Sequence, residues 1–175
     1  TAMALREKGF DGTIPIFGDE GRLPYERPPL SKDILAETGL RQTTTVLSEA
    51  EARKLSIKLR LDTPISRLDP DPHMVWADNQ PIRFGTAVLA TGGMARALGG
   101  VEGGPPVMSL RTLTDAENLA NKWETAQRIA IVGGGWLGLE LAATARGQGL
   151  DVTLAERAER LCPRILPDPA SKRLL

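Results

Sequence analysis

The sequence predicts an α/β fold with parallel strands, and three observations support this prediction. An apolar run at residues 129–132 is followed by a glycine-rich turn, a helical pattern and a second apolar run that ends at Glu156. The first twenty residues repeat the later part of this order: helix, turn, strand and the acidic pair Asp19-Glu20. Between them, residues 64–84 form short apolar segments typical of an antiparallel layer. Strands that alternate with helices indicate parallel sheets.

The composition argues against several classes of partner. The chain has 22 basic and 22 acidic residues, so its net charge is zero. This balance gives no electrostatic reason to expect nucleic acid or an anionic membrane surface as a partner. No apolar run approaches the ~20 residues that a membrane-spanning helix needs. Cys162 is the single cysteine, which excludes a disulfide or C-x-x-C pair within these residues and fits a reducing, cytoplasmic setting.

The first part of the chain resembles the second half of a strand–turn–helix–strand unit. Residues 1–8 predict the end of an amphipathic helix that stops at Gly9, and residues 13–17 predict a short strand. A glycine turn and its leading strand are expected upstream of Thr1. We therefore expect this first unit to be incomplete here.

The middle of the chain predicts short elements separated by loops. Prolines stiffen a loop at residues 21–30, after which Ser31 is a candidate N-cap for a short helix. Ser48 is the candidate cap of the next helix. The predicted elements are helices at 32–37, 47–54 and 112–121, half-buried or short strands at 56–61, 64–68, 74–77 and 82–84, a turn at Asp78-Asn79, a buried strand at 87–90, and a linker at 98–106.

The glycine turn has the G-x-G-x-x-G spacing of a dinucleotide-binding motif in its full strand–helix–strand context. Gly133 allows the tight turn, and Gly135 lets the backbone approach a pyrophosphate. Gly138 lets the helix pack closely on the strand. The helix N-terminus at Trp136 and Leu137 offers N–H groups and about half a positive charge to the phosphates.

Glu156 follows the second strand at the place where a carboxylate can accept a hydrogen bond from a ribose 2′-hydroxyl. A 2′-phosphate would be repelled by this carboxylate, so the sequence favours NADH over NADPH. Arg157 and Arg160 are close in sequence and moderate this preference.

The chain closely resembles a known family along nearly all of its 175 residues. The segments that carry the resemblance follow one another as A-L-R-E-K-G-F-D-G-T-I, G-D-E, L-P-Y-E-R-P-P-L-S-K, A-T-G-G, L-R-T-L-T-D-A and I-V-G-G-G-W-L-G-L-E-L-A-A. They resemble the FAD-dependent ferredoxin reductases of bacterial ring-hydroxylating dioxygenases and some cytochromes P450. Apoptosis-inducing factor shares the pattern.

The resemblance implies two Rossmann-like nucleotide-binding domains, each incomplete here. Residues 1–107 would bind FAD and contain the small antiparallel β layer, and residues 108–175 would bind NAD. The implied activity is hydride transfer from NADH to FAD, followed by single-electron transfer to a [2Fe–2S] ferredoxin of an aromatic-ring dioxygenase. A reductase for rubredoxin or a P450-linked ferredoxin, and a non-catalytic NAD-binding module, are the alternatives.

The resemblance also assigns the residues closest to the flavin. It places Arg27 on the FAD pyrophosphate and Lys32 near the flavin N5, and it pairs Lys32 with Glu140 in an ion pair that links the two domains. Trp136 would cover the flavin face on which nicotinamide stacks. The alternatives are two surface cations, an exposed helix glutamate stabilised by the helix dipole, and a tryptophan that packs in the core.

Two further groups complete the predicted cofactor site. Asp19 and Glu20 would lie at the adenosine ribose of FAD, with a solvated turn as the alternative. The positions that match FAD-lining positions of the family are Ile65, Ala90, Thr91, Gly92 and Arg111. No cysteine lies between Arg27 and Lys32, where related disulfide reductases carry their redox cysteines, so dithiol chemistry is not expected.

Overall fold

The computed structural model describes residues 1–36, 45–99 and 106–174, which form two compact units. The first unit is drawn from Thr1–Tyr25 and Thr45–Gly92, and the second from Glu26–Thr44 and Gly93–Leu175. The loop that begins at Glu26 thus belongs with the C-terminal part of the chain. The division by cofactor after residue 107 stays a prediction.

The parallel part of the first unit contains two helices and two strands. Its elements are α1 (Ala2–Glu7), β1 (Ile14–Phe17), α2 (Glu49–Lys54) and β2 (Ile57–Arg60). Strands β1 and β2 pair in parallel, with Ile14 opposite Ile57. These two residues, Leu47 and Ala52 form the buried core of the unit. All four elements were predicted.

Local chemistry fixes the ends of these helices. Gly9, at φ +81°, ends α1 in the left-handed backbone region that glycine tolerates best. Ser48 caps α2 as predicted: its Oγ accepts the Glu51 N–H at 3.2 Å, and the Glu51 carboxylate accepts the Ser48 N–H at 2.9 Å. This reciprocal capping box satisfies two N–H groups that have no partner inside the helix.

The small antiparallel layer is present in the first unit. Its strands β3 (Ile65–Asp69), β4 (Met74–Ala77) and β5 (Gln80–Arg83) pair in chain order. Asp78 and Asn79 form the tight turn between β4 and β5, at φ +48° and +60°, where Asp and Asn are tolerated. The third strand begins at Gln80, two residues earlier than predicted, because Pro81 lies on an edge strand, where its missing N–H is tolerated.

The predicted buried strand at residues 87–90 is wrong. These residues have no regular structure, and Val88 and Leu89 are 62% and 72% exposed. No strand among the described residues pairs with them, and an unpaired strand would leave its backbone groups without partners. Of the predicted linker at 98–106, residues 98, 99 and 106 have no regular structure, and the remainder lies outside the described residues.

The second unit contains the strand–turn–helix–strand arrangement that the glycine motif predicts. The elements among its described residues are α3 (Leu113–Trp123), β6 (Arg128–Val132), α4 (Trp136–Gly147), β7 (Asp151–Ala155), α5 (Asp168–Ser171) and the 3-10 helices Pro28–Ser31 and Lys172–Leu174. Strands β6 and β7 pair in parallel from Arg128–Asp151 to Val132–Ala155. The buried core consists of Leu35, Ala120, Trp123, Ala145 and Leu150. No helix in the described part of the chain is long and apolar enough to cross a membrane.

The predicted helix at residues 32–37, with Ser31 as its cap, is wrong over its described residues. Pro28 and Pro29 instead begin a 3-10 helix that ends at Ser31, and residues 32–36 form turns. Residues 37 and 39, the predicted last residue and stop, lie outside the described residues. A proline is favourable in the first turn of a helix, so the helix begins earlier than the serine suggests.

Arg6 connects three segments of the first unit. Its guanidinium donates to the carbonyl oxygens of Leu55 at 2.7 Å, Gly12 at 2.9 Å, Ser56 at 3.0 Å and Phe10 at 2.5 Å. It therefore provides hydrogen-bond donors for backbone carbonyl groups at the end of α2 and in the turn that leads into β1. The sequence analysis did not single out this residue.

We expect Arg6→Ala to lower the free energy of unfolding by about 2 kcal/mol, because four carbonyl oxygens lose a charged donor. Urea denaturation measures this change. Arg53→Ala is the matched control: Arg53 pairs with Glu49 at 3.5 Å on an exposed helix face, so its loss should cost less than about 0.5 kcal/mol. Equal costs for the two variants would contradict the assignment.

Candidate nucleotide-binding turn and ion-pair site

The glycine turn between β6 and α4 has the geometry that the motif spacing predicts. Gly133 has φ +115°, a conformation that other residues rarely adopt. Its N–H donates to the Ala155 carbonyl at 2.8 Å and so extends the pairing of β6 with β7. A Cβ at Gly138 would overlap the Gly133 carbonyl oxygen, so α4 approaches the turn closely only because residue 138 is glycine.

The surface of the turn is open at Gly135. This residue precedes α4, and a Cβ built on it would have no atom within 4 Å. The first N–H groups of α4, beginning at Trp136 and Leu137, have no partner inside the helix. An open backbone beside helix N–H groups that need a partner from outside the helix fits a diphosphate.

Gly134 and Glu156 are bound to each other. The Gly134 N–H donates to Glu156 Oε2 at 2.6 Å, and the Ala158 N–H donates to Oε1 at 2.7 Å. The Ala158 and Gly134 N–H groups, in that order, hold the pKa of Glu156 below its ordinary value. A Cβ at Gly134 would lie 2.5 Å from Leu161 Cδ2. The sequence analysis missed this requirement, although three consecutive glycines could have indicated it.

Arg160 is engaged within its own loop. Its Nε lies 3.0 Å from Asp168 Oδ1, and its guanidinium also donates to the carbonyl oxygens of Pro163, at 3.0 Å, and Leu166. Arg157 and Arg160, which were both expected to moderate the preference for NADH, therefore have different partners. Arg157 lies close enough to Glu156 to help lower its pKa, whereas Arg160 holds the chain between residues 160 and 168.

Glu140 forms the ion pair that the resemblance implies. Lys32 Nζ lies 3.2 Å from Glu140 Oε1, and Ser31 Oγ donates to Oε2 at 2.6 Å. The pKa of Glu140 is held below its ordinary value, first by the Ser31 hydroxyl; burial opposes this effect, while Lys32 and Trp136 add to it. The pair was expected to link two domains, but both residues lie in the second compact unit.

One face of α4 binds the segment that contains Ser31. Glu140 and Thr144 are spaced four residues apart on the same side of α4, and Gln148, the residue that caps its C-terminus, continues this spacing. Thr144 Oγ1 donates to the Ser31 carbonyl at 2.8 Å, and Gln148 Nε2 donates to the Leu35 carbonyl. Sequence analysis missed Ser31 as a partner of Glu140 and did not single out Thr144 or Gln148. Their four-residue spacing was the available signal.

Two other predicted FAD residues meet in the second unit. Arg27 Nη1 donates to the Arg111 carbonyl at 2.5 Å, and Arg111 Nε donates to the Gly93 carbonyl at 2.9 Å. The Arg111 N–H donates to Asp115 Oδ2 at 3.0 Å, at the start of α3. The structure thus joins the Arg27 loop to the chain before α3.

Trp136 begins α4 with a side chain that is 57% exposed. The alternative that it packs in the core is therefore wrong. Its position in the helical turn before Glu140 lets the indole contribute to the lowered pKa of that carboxylate. Its action as a gate for nicotinamide stays a prediction.

The residues of the first unit that were predicted to bind FAD lie in three places: after β1 (Asp19 and Glu20), at the start of β3 (Ile65) and in coil (residues 90–92). Glu20 accepts a hydrogen bond from the Tyr25 hydroxyl at 2.5 Å, and Asp19 is exposed. Ile65 is 39% exposed at the start of β3. Residues 90–92 are exposed coil, and Gly92 has φ +64°. Their contact with a cofactor stays a prediction.

Comparison with known proteins identifies the family. The family model described as pyridine nucleotide-disulphide oxidoreductase matches residues 1–175. The chain belongs to this family. Membership confirms the predicted α/β fold class and places the glycine turn and the ion pair within a family of oxidoreductases.

Curated members of the pyridine nucleotide-disulphide oxidoreductase family with similar sequences are ferredoxin reductases, which confirms the predicted resemblance. A ferredoxin–NAD(P)(+) reductase from a Sphingomonas species is 38% identical over 98% of this chain. The ferredoxin–NAD(+) reductase component of the p-cumate 2,3-dioxygenase system of Pseudomonas putida is 40% identical over 97% of it. The chain spans 42% of the length of each relative.

Solved structures of the same type have the same fold. The ferredoxin reductase for the CYP199A2 system of Rhodopseudomonas palustris matches with a TM-score of 0.90 and 32% identity, covering 98% of this chain and 43% of that one. Putidaredoxin reductase, in its covalent complex with putidaredoxin, matches with a TM-score of 0.86 and 32% identity, covering 99% and 43%.

We expect Gly138→Ala to destabilise the second unit by about 3 kcal/mol, because the added methyl group meets backbone atoms and α4 must move. Urea denaturation measures the change. Gly147→Ala, at the other end of the helix and in open space, should instead stabilise by roughly 0.5 kcal/mol. A neutral Gly138→Ala variant would show that the close approach is not required.

Proposed function

We propose that this chain is part of a flavoprotein reductase that moves a hydride from NADH to FAD and then single electrons to a [2Fe–2S] ferredoxin of an aromatic-ring dioxygenase. The observation that carries the proposal is that α4 combines an open glycine turn at its N-terminus with the Lys32–Glu140 ion pair on its side. The names of the similar reductases support the same electron path.

NADH is the proposed dinucleotide of the glycine turn. Gly133, Gly135 and Gly138 shape the turn, and the N–H groups at Trp136 and Leu137 face the diphosphate. Glu156 accepts a hydrogen bond from the ribose. Both carboxylate oxygens already accept a backbone N–H, which fixes the carboxylate at the end of β7 and leaves each oxygen a further lone pair.

Lys32 is the proposed catalytic cation, and Glu140 is the carboxylate that holds it. FAD, when bound, accepts a hydride from NADH and releases electrons one at a time. A fixed ammonium group beside the flavin N5 stabilises negative charge without reorganisation during the reaction. Glu140 supplies the fixed position, because it is 20% exposed whereas the Lys32 side chain is 51% exposed.

The other FAD contacts are proposed from the resemblance, one unit at a time. In the first unit, Asp19 or Glu20 binds the adenosine ribose. In the second, Arg27 contacts the pyrophosphate, and its bond to the Arg111 carbonyl holds its guanidinium in place. The remaining proposed contacts are Ile65, Ala90, Thr91, Gly92 and Arg111.

An external one-electron carrier is the proposed acceptor, since no cysteine lies beside Lys32 to receive electrons as a dithiol. The similar reductase components of dioxygenase systems favour a ferredoxin. The similar solved structures include the ferredoxin reductase for the CYP199A2 system, so the ferredoxin of a P450 system is one outcome that the experiment must separate.

Purified protein that has been incubated with FAD and freed of unbound flavin is expected to be yellow and to bleach on addition of NADH under argon, because hydride transfer reduces the bound flavin. The bleached protein should then reduce a dioxygenase [2Fe–2S] ferredoxin faster than rubredoxin or a P450 ferredoxin. Stopped-flow absorbance measures both steps. Colourless protein that still binds NADH would instead support the binding-module hypothesis.

Trp136→Ala tests the proposed gate in the same assay. An unchanged NADH affinity and an unchanged oxygen reactivity in this variant would exclude the gate.

Glu156→Gln is expected to reduce the preference for NADH over NADPH by about tenfold, because the carboxylate no longer repels a 2′-phosphate. The measurement is the ratio of the two Kd values by fluorescence titration. Glu159→Gln removes the same charge from an exposed position three residues along and should leave the ratio unchanged. Equal effects of the two variants would mean that net charge, rather than position, sets the preference.

A further inference from the structure

Ser31 is a buried polar residue to which neither the glycine motif nor the family resemblance assigns an action. It is 2% exposed, and its hydroxyl lies 2.6 Å from Glu140 Oε2 and 3.4 Å from the Pro28 carbonyl. A hydroxyl has one proton to donate, so the carboxylate receives it. Hydrogen bonds to an ionised acceptor are about twice as strong as neutral ones.

Ser31 and Lys32 bind different oxygens of the same carboxylate. Ser31 holds Oε2, and Lys32 lies 3.2 Å from Oε1. The terminal torsion of a glutamate has broad minima, so one contact alone does not fix the carboxylate plane. The Lys32 side chain is half exposed, and an ion pair of this kind orients its partner weakly. The hydroxyl is therefore the contact that sets the direction of Oε1.

The hydroxyl can set this direction because Ser31 is itself fixed. Pro28 and Pro29 restrict the backbone of the 3-10 helix that ends at Ser31. Thr144 Oγ1 donates to the Ser31 carbonyl at 2.8 Å, one helical turn beyond Glu140 on α4. Ser31 is thus held from its backbone while its side chain holds Glu140.

We propose that Ser31 is a positioning residue for the Lys32–Glu140 pair: its hydroxyl orients the Glu140 carboxylate so that Oε1 faces Lys32. The catalytic part of this inference rests on the proposed function, in which the oriented carboxylate holds Lys32 beside the flavin. Its geometric part stands on the hydrogen bond alone and can be tested without a cofactor.

The groups around Glu140 determine what the loss of the Ser31 hydroxyl changes. Among the described residues, Lys32 is the charged group whose attraction lowers the pKa of Glu140. Trp136, on α4, lowers it further through a side-chain hydrogen bond. The Ser31 hydroxyl lowers this pKa most. Without the hydroxyl the pKa of Glu140 is expected to rise, while the attraction of Lys32 continues to favour the ionised carboxylate. The loss at pH 7 is therefore one of orientation rather than of charge.

The experiment compares Ser31→Ala with Thr144→Val, which removes the hydroxyl that donates to the Ser31 carbonyl and does not contact the carboxylate. The pKa of Glu140 is measured by ¹³C NMR titration of protein labelled at the glutamate side chain, with Glu140→Gln to assign the signal. We expect the pKa to rise in Ser31→Ala and to rise less in Thr144→Val, which loosens the Ser31 backbone but leaves the hydroxyl and the proline-restricted 3-10 helix in place. Ser31→Thr, which keeps the hydroxyl, should restore the lowered pKa.

A kinetic measurement on the FAD-loaded protein tests the purpose of the orientation. We expect Ser31→Ala to slow flavin reduction at saturating NADH by about tenfold with KM little changed, because the nucleotide site is intact. If Ser31→Ala does not fold, Ser31→Cys keeps the volume and replaces the hydroxyl with a much weaker donor.

Three outcomes separate the hypotheses. A raised pKa with slower flavin reduction supports the inference. An unchanged pKa of Glu140 in Ser31→Ala, or an equal rise in Thr144→Val, overturns it even if the wild-type protein reduces flavin. A raised pKa in a protein that neither binds FAD nor oxidises NADH would confirm the orientation by Ser31 and reject the proposed function.

Discussion

The Glu140 carboxylate is the group on which the arrangement of the second unit depends. It is 20% exposed on a helix whose neighbouring positions are apolar, and a charge that is partly removed from water needs partners. Its partners, Ser31 and Lys32, are 109 and 108 positions earlier in the chain. The contacts that satisfy this carboxylate therefore hold residues 28–32 against α4 within the second unit.

Helix α4 serves the nucleotide turn and the loop with different parts of its surface. The turn and the first part of the helix need glycine at two positions, because Gly138 lies against the Gly133 carbonyl and Gly134 lies against Leu161 and Glu156. Its side needs polar donors and acceptors every fourth residue. The first requirement is met by the absence of side chains at Gly134 and Gly138, and the second by specific side chains further along. Both are therefore met between residues 133 and 148.

The sequence predicted those elements whose causes are local. The β6–α4–β7 unit, the Ser48 cap and the Asp78-Asn79 turn depend on residues within a few positions of one another, and the structure contains all three. The helix at 32–37 and the strand at 87–90 were wrong, because the first was decided by two upstream prolines and the second by the need for a pairing strand. The Lys32–Glu140 pair spans the chain and came from family resemblance, since no spacing rule connects such distant residues.

The contacts of α4 also explain why that resemblance identified Lys32 and Glu140 but not the residues that hold them. Thr144 and Gln148 donate to backbone carbonyls, which any residue at position 31 or 35 would provide. Such contacts place no requirement on the identity of their partners, so no residue pair records them in a sequence. At Ser31 the side chain itself is the donor, and the identity of the residue matters. The environment of the Glu140 carboxylate is therefore specified by the side chains of Ser31, Lys32 and Trp136. The position of the loop is specified by its backbone carbonyls, which accept from Thr144 and Gln148.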